Sequence, residues 1–382
     1  MGANAVPVYT WAEPVPRGGS LGEVRVVQPT LMAHAGAFRN RLRLLTTINL
    51  EGLTIPDGEL APGDWGEGFM DRRHPHTYVH EAVLTYYQPF GSGAFSVSAG
   101  KGFAPFGTDD PMSRPALRYP VNHHLAQILE RSIAILGVRS GPVLLEAGLF
   151  NGDEPDRPGR WPRIGRFADS WSGRVTAYPA AGLEVQASHA QVHSPEHRAG
   201  FGIDQSKWSL SGRWSGSVRR FPVYAMMEWA RTSEANGFFV FHSLLAEGAW
   251  SPGQHRLQYR FERTERPEEE RTIGPFRSIR PHLENSILGT TRWSIHTAGY
   301  AFRGLPLDWI DAVPFIEVSY GRIARVGGGL FDPEAFYGKT SFWTFGIGAR
   351  LGLGQPMHRM GRYGVAQDTA GRLEGEHHRH RE

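Results

Sequence analysis

Apolar and polar side chains alternate one by one along many short stretches of this 382-residue chain. In residues 38–51, Leu42, Leu44 and Ile48 fall on one face, opposite Arg43 and Thr47. Successive side chains of a β-strand point to opposite faces, so a period of two predicts a strand here and not a helix. The same alternation recurs in residues 94–103, 166–178, 205–214, 256–263 and 341–353. The chain is therefore predicted to be all-β.

The connections between the strand candidates are of two kinds, which narrows the fold class. Short connections are predicted at residues 89–93, 140–142, 179–182, 216–217 and 251–253. Long ones are predicted at residues 52–76, 104–130, 151–165, 195–203, 264–281 and 325–340. Short periplasmic turns and long extracellular loops are typical of outer-membrane barrels, which have an even number of strands in single-chain bacterial proteins. From about 15 candidates we expect a closed antiparallel transmembrane β-barrel of about 16 strands.

Composition supports this fold class and excludes several functions. Glycine occurs 47 times, aromatic residues make up 12% of the chain, and cysteine is absent. This composition suits short strands with aromatic belts and excludes disulfides and thiolate metal sites. The 41 basic and 38 acidic residues nearly balance and form no basic block, so we expect no nucleic-acid partner. We also expect no cofactor.

Three regions follow from the strand pattern. Residues 1–20 contain three prolines and no apolar core, and we interpret them as an N-terminal extension of a mature chain or of one whose start lies further upstream. Residues 21–354 are predicted to form the barrel. The sixteenth strand is expected near residues 8–11 or within one of the longer segments. Residues 355–382 are polar and rich in His and Arg, which predicts a disordered tail.

Residues 94–152 carry a family resemblance. The stretch GKGFAPFG at residues 100–107 is followed by a loop rich in Pro and Arg, by Glu130-Arg131, and by GLFNG at residues 148–152. This order of a PFG segment, an ER pair and a G-x-FNG turn resembles the phosphate-selective porin O/P family. The resemblance implies a 16-stranded outer-membrane channel for small anionic or uncharged solutes. The lysine clusters associated with phosphate selection are absent, since lysine occurs only at Lys101, Lys207 and Lys339.

Basic residues on the polar strand faces are the candidate pore-lining residues. Rings of Arg or Lys inside a pore favour anions, and the ladder of alternate arginines in residues 39–43 is the clearest example. The full set of candidates is Arg39, Arg41, Arg43, Arg174, Lys207, Arg213, Arg260, Arg292 and Arg350. The alternative is a neutral wall in which these cations pair with Glu51, Glu81, Glu146, Glu184 and Glu317.

A second group of residues has the composition of a metal site. His74, His76 and His80 would share one face of a strand, close to Glu81. Pro75 interrupts a strand at this point, so these histidines stand as weak candidates and no metal is expected. The long loop at residues 104–130 is expected to contain a short helix over residues 122–131, and it can fold into the barrel and narrow it.

Together these features predict a porin-like channel in the outer membrane of a Gram-negative bacterium, for passive diffusion of small hydrophilic solutes with a bias toward anions. The expected partners are outer-membrane lipid, lipopolysaccharide and the solutes themselves, and the chain would act as a monomer or a trimer. The alternatives are a barrel for specific binding or export of a metal or carbohydrate, and a barrel enzyme. The sequence has no Gly-x-Ser-x-Gly or His-Glu-x-x-His motif, so we predict no enzymatic activity.

Overall fold

A computed structural model of the chain describes residues 1–15, 19–56, 58–60, 72–73, 76–115, 119–155, 157–195, 197–269, 287–305 and 309–367. Sixteen strands form a closed barrel. They are β1 Gly2–Glu13, β2 Leu21–Ala37, β3 Leu42–Asn49, β6 Val79–Phe90, β7 Gly93–Gly102, β8 Arg131–Ser140, β9 Val143–Phe150, β10 Ser170–Ala180, β11 Leu183–Val192, β12 Gln205–Val218, β13 Phe221–Glu234, β14 Phe239–Trp250, β15 His255–Glu269, β16 Ile287–Phe302, β17 Asp311–Gly329 and β18 Ser341–Gly354.

The remaining elements are small and lie in the connections. A two-stranded ribbon pairs β4 Glu59–Leu60 with β5 Arg72–Arg73. The helices are α1 Glu51–Thr54, α2 His123–Ala126 and α3 Pro333–Tyr337, with 3₁₀ turns at Pro111–Ser113, Ile164–Arg166 and Ala235–Gly237. Among the residues described, no helix is long and apolar enough to cross a membrane.

Each barrel strand pairs antiparallel with its neighbours along the chain, and β1 pairs with β18 to close the ring. At one end, two-residue turns such as Gly91–Ser92 join the strands, and residues 1 and 354 lie at this end too. The long connections, including residues 103–130, lie at the opposite end. We call these the turn end and the loop end. The predicted closed, antiparallel barrel of sixteen strands, with short turns and long loops at opposite ends, is confirmed.

The predicted N-terminal extension is wrong, because residues 2–13 are strand β1 of the barrel wall. Val6 and Val8 are buried inside, while Tyr9 is 39% exposed outside. Pro7 lacks an N–H donor, yet the strand continues past it and pairs on both sides with β18 and β2. The prolines weaken the local strand signal, and one of the two pairings that hold the strand comes from residues about 340 positions away, which no local pattern reveals. The sixteenth strand thus includes residues 8–11, one of the two predicted locations.

The two faces of the wall differ as the alternation predicts. On the outer face, Trp171, Leu210 and Trp343 are each about half exposed. On the inner face, polar side chains such as Ser172 and Arg174 are buried. A soluble protein places its apolar face inward, so this reversed arrangement is that of a wall with lipid outside and a polar lumen inside.

Two segments that fold into the lumen bear on the passage, in addition to the loop residues that pack near Trp293 at the loop end. The first is the connection from residue 103 to residue 130, hereafter the constriction loop, in which Phe106 and Leu125 are buried. Its inward folding agrees with the sequence prediction, whereas the helix predicted over residues 122–131 is limited to α2, His123–Ala126. The second is residues 355–367, hereafter the C-terminal segment, in which Met360 and Val365 are at most 1% exposed. A disordered tail is therefore the wrong description of residues 355–367, and residues 368–382 lie outside the described residues.

Candidate functional site: the barrel lumen

The constriction loop reaches across the lumen from β7 to the far wall. The backbone N–H of Gly107 donates to Ser188 Oγ on β11 at 2.9 Å. Further along the loop, Asn122 Nδ2 donates to Glu228 Oε1 on β13 at 2.9 Å. The backbone N–H of Val121 donates to a carboxylate of β15 at 2.6 Å. Because its anchors lie on several strands of the opposite wall, the loop narrows the passage and does not merely line it.

The C-terminal segment enters the lumen from the turn end. Its first residue, Gln355, donates its backbone N–H to the carbonyl of Met1 at 3.1 Å. Tyr363 then donates its hydroxyl proton to Glu81 Oε1 on β6 at 2.8 Å. The same hydroxyl oxygen accepts the backbone N–H of Phe103 at 3.0 Å. The segment is therefore bound both to the wall and to the constriction loop.

Charged groups hold these two segments together. Arg359 on the C-terminal segment contacts Asp109 of the constriction loop at 2.7 Å and Glu184 of β11 at 2.9 Å. Arg213 of β12 reaches the other oxygen of Asp109 at 2.9 Å. Burial alone would raise the pKa of Asp109, but Arg359 and Arg213 hold it well below its usual value. Asp109 is therefore ionised throughout the neutral pH range.

Six of the nine predicted pore-lining residues lie at inward-facing strand positions, and five of these are away from the turns. Arg174 forms a two-bond pair with Glu146, at 2.6 and 2.8 Å, and Arg260 pairs with Glu247 at 2.9 Å. The five residues are Arg174, Lys207, Arg213, Arg260 and Arg350. Arg174, Arg213 and Arg260 thus have carboxylate partners, but of the glutamates named in the alternative interpretation only Glu146 pairs with a predicted cation within the described part of the chain, whereas Glu184 pairs with Arg359 and Arg362.

The arginine ladder of residues 39–43 does not form. Phe38, Arg39 and Asn40 all have positive φ angles and make a tight β2–β3 turn, so the strand starts only at Leu42. Arg39 and Arg41 are exposed on this turn, outside the wall. Arg43 does follow the inward alternation of β3. Its guanidinium, however, stacks on Tyr87 at 4.4 Å and donates to the carbonyl of Asn40 at 2.9 Å, at the turn end.

Arg292 faces the outside of the barrel, which is also a correction. It pairs with Glu265 on the neighbouring strand β15 at 2.6 Å. The inward positions of β16 at this level are Trp293 and Ile295, which are buried against Phe331 and other loop residues. Apolar residues face inward and a charged residue faces outward here, because folded loops, and not water, fill the loop end of the lumen.

Two inward arginines of the wall, Arg256 and Arg350, form no ion pair within 4 Å in the described part of the chain, although Asp311 attracts both and Glu317 also attracts Arg350 at longer range. Arg350 donates to the carbonyl of Arg114 at 3.4 Å, and its Nε and Nη2 atoms have no hydrogen-bond partner in the described part of the chain. Arg256 shares the inward face of β15 with Gln258 and Arg260, and its positive charge acts repulsively on Arg350. Neither arginine forms an ion pair with any described carboxylate. Arg256 was absent from the predicted set, although its place in the alternation of residues 256–263 was a usable signal.

The predicted histidine cluster is only partly assembled as expected. His74 lies outside the described residues, whereas His76 and His80 lie together, with ring centroids 4.7 Å apart. Their carboxylate partner is Glu130 at the end of the constriction loop, 2.8 Å from His80 Nδ1 and 3.5 Å from His76 Nδ1. Glu81 instead binds the C-terminal segment. Burial would raise the pKa of Glu130, but His76 and His80 hold it well below its usual value.

Comparison with known proteins identifies the fold and not the family. No protein-family profile matches the chain, and no curated protein matches it. An anion-selective porin from Comamonas acidovorans is similar in structure, with a TM-score of 0.55, 10% identity, and coverage of 92% of this chain and 99% of that one. OmpT, an outer membrane protein of Vibrio cholerae in its trimer form, gives a TM-score of 0.50, 14% identity and coverage of 92% and 99%. The resemblance to the phosphate-selective porin O/P family stays a prediction.

The chain therefore has the fold of the outer-membrane porins. A closed barrel satisfies every backbone hydrogen bond of its wall, which is the condition for strands to cross a bilayer. The outer face of the barrel is apolar and its lumen is polar, as a barrel that spans a lipid bilayer requires. The protein is an outer-membrane β-barrel of a Gram-negative bacterium.

Proposed function

We propose that this barrel is a channel for passive diffusion of small hydrophilic solutes, with a preference for anions. The observation that carries the proposal is the pair Arg256 and Arg350, two inward arginines without a carboxylate partner among the described residues. An uncompensated guanidinium replaces part of the hydration that an anion loses on entering a narrow passage, and it repels cations. Several other described lumen charges form ion pairs, as Arg174 does with Glu146 and Arg260 with Glu247, and these would contribute less to ion preference.

The test is the reversal potential of the refolded protein in a planar bilayer under a potassium chloride gradient. We expect discrete conductance steps with a reversal potential of the sign for anion preference. In the double variant R256Q/R350Q the reversal potential should move toward the cation side, because two fixed positive charges are lost. Phosphate, which the sequence resemblance suggests as a solute, would be compared with chloride in the same experiment.

The matched control is R292Q, which removes the same charge from the outer face of the wall. Its reversal potential should equal that of the unchanged protein. A channel whose ion preference is unaffected by R256Q/R350Q would refute the role of these arginines. A folded barrel with no conductance would refute the channel.

The second candidate is a barrel that binds one solute specifically, and the two segments inside the lumen favour it. A specific site would give saturable block of the ionic current by that solute, whereas simple diffusion would not saturate. We propose no enzymatic activity, so the folded protein in detergent should hydrolyse neither ester nor peptide substrates. For the assembled state we propose a monomer or a trimer, with the long loops facing lipopolysaccharide.

A further inference from the structure

Two histidines and one glutamate meet at the loop end of the lumen, where the constriction loop rejoins the wall. One potential ligand atom from each of His76, His80 and Glu130 lies within 4.8 Å of the other two. All three residues are buried, with exposed fractions of 5%, 0% and 4%. Nitrogen and oxygen ligands at about 2.1 Å around one tetrahedral metal would lie roughly 3.4 Å apart, so small side-chain rotations suffice to coordinate one ion.

Backbone irregularities on both sides bring these side chains together. A register shift between β3 and β6 adds an extra residue near His80, so that both His80 and Glu81 turn inward. Such bulges commonly re-aim a side chain at a functional site. On the other side, Glu130 has a φ of 57°, a conformation that is costly for a residue with a Cβ atom. In this conformation, the Glu130 carboxylate accepts a hydrogen bond from the backbone N–H of Thr77 at 2.9 Å.

The hydrogen bonding of the cluster is incomplete. The Nε2 atoms of His76 and His80 are buried and have no hydrogen-bond partner among the residues that the structure describes. A buried polar atom without a partner costs free energy and requires an explanation such as a bound ion or water. The carboxylate of Asp110 is also buried nearby, and its Oδ2 has no partner within the described ranges. Unused hydrogen-bonding capacity in a buried cluster of this composition is consistent with an ion or an ordered water bound there.

We propose that His76, His80 and Glu130 bind one divalent transition-metal ion of the zinc type. Neutral imidazole and carboxylate are the ligands of His₂Glu zinc sites, which leave a fourth position for water or another donor. The ion would join the start of β6 to the last residue of the constriction loop. It therefore fixes the loop in the lumen, and this role is independent of ion preference in the channel.

Zinc binding by the full-length protein, refolded in detergent and stripped with chelator, tests this site. His377, His378 and His380 are first changed to Gln, so that the terminal histidines do not contribute to the count. We expect one zinc per chain, measured by calorimetry and by elemental analysis after desalting. H76Q and E130Q should each weaken binding by on the order of 100-fold, because even second-shell changes typically cost 10- to 100-fold.

The control is H255Q, since His255 contacts Tyr300 on the outer face and is remote from the cluster in the fold. H255Q should retain one zinc per chain. For every variant, the heat-dependent migration on a gel shows whether the barrel is folded. If H76Q or E130Q fails to fold, the absorption spectrum of cobalt(II) is measured instead, with the ion bound to the parent protein, which carries only the changes at the terminal histidines. We expect a ligand-field band that is typical of tetrahedral coordination by nitrogen and oxygen. The proposal is overturned if the folded parent protein retains no zinc or gives no such band. It is also overturned if H76Q and E130Q both fold and bind zinc with unchanged affinity.

Discussion

Arg359 is the residue on which the interior of the barrel most depends. Its guanidinium bridges Asp109 on the constriction loop and Glu184 on the wall, and all three side chains are buried. Burial would lower the pKa of Arg359, but the two carboxylates raise it well above its usual value. A buried pair that loses one partner leaves an uncompensated charge and costs about 3–5 kcal/mol.

We therefore expect R359Q to release the C-terminal segment from the lumen. The chain contains no cysteine, so a single V365C substitution reports the exposure of this segment to a water-soluble maleimide. Val365 is 1% exposed, and labelling should be slow in V365C alone. It should be roughly 100- to 4,000-fold faster in V365C/R359Q, as the free-energy cost of about 3–5 kcal/mol implies. R41Q on the exposed turn is the control, and equal protection in V365C/R359Q would contradict the role of Arg359.

The sequence predicts individual side-chain directions well wherever the lumen wall is polar. Alternation alone assigns Arg174, Arg213 and Arg260 to the inside, where they are found. It fails for Arg292, because the inward neighbours at that level are apolar residues packed against loops. It also could not identify Glu130 as the partner of His80, since 50 residues separate them and only the folded loop brings them together.

The C-terminal segment is the element whose position matters most for the proposed conduction. It contacts β6 through Glu81, β7 through Ser96 and β11 through Glu184, so it occupies that side of the passage. The polar composition of this segment predicts disorder, because predictions from composition assume that a segment needs apolar residues in order to be buried. Here the partners of its charges are carboxylates more than 170 residues away in sequence. No local signal could reveal them.

Deletion of residues 355–382 should increase the single-channel conductance, because it removes the segment from the lumen and leaves all sixteen strands intact. Deletion of residues 368–382 alone is the matched control and separates the effect of the docked residues from that of the remainder. The measurement is the step size in planar bilayers at a fixed salt concentration. Equal step sizes for the two deletions would mean that the ionic path does not pass the C-terminal segment.

The barrel as a whole is stabilised by its lipid environment. Leu210 lies near the middle of β12 and Val218 at its turn end, and both face outward with about half of their surface exposed. An arginine at the bilayer midplane costs about 2–4 kcal/mol, and one at the interface about 0–1 kcal/mol. These magnitudes test the orientation of the whole wall.

L210R should therefore lower the free energy of unfolding in lipid vesicles by about 2–4 kcal/mol, and V218R by at most about 1 kcal/mol. Urea titration followed by tryptophan fluorescence measures both. If the two variants were equally stable, the middle of β12 would not lie at the centre of the bilayer. This outer face was the most predictable property of the molecule, because it depends only on the period of two.

The pairing of several lumen charges also determines how far the electric field of the lumen extends. Paired charges act as dipoles whose field decays within a short distance, so charges without an ion pair among the described residues, such as Arg256 and Arg350, contribute more to the field of the lumen. In saline the range of this field is set by the Debye length, about 10 Å at 0.1 M and about 3 Å at 1 M. The proposed anion preference should therefore be strongest in dilute solution and should weaken as the salt concentration rises.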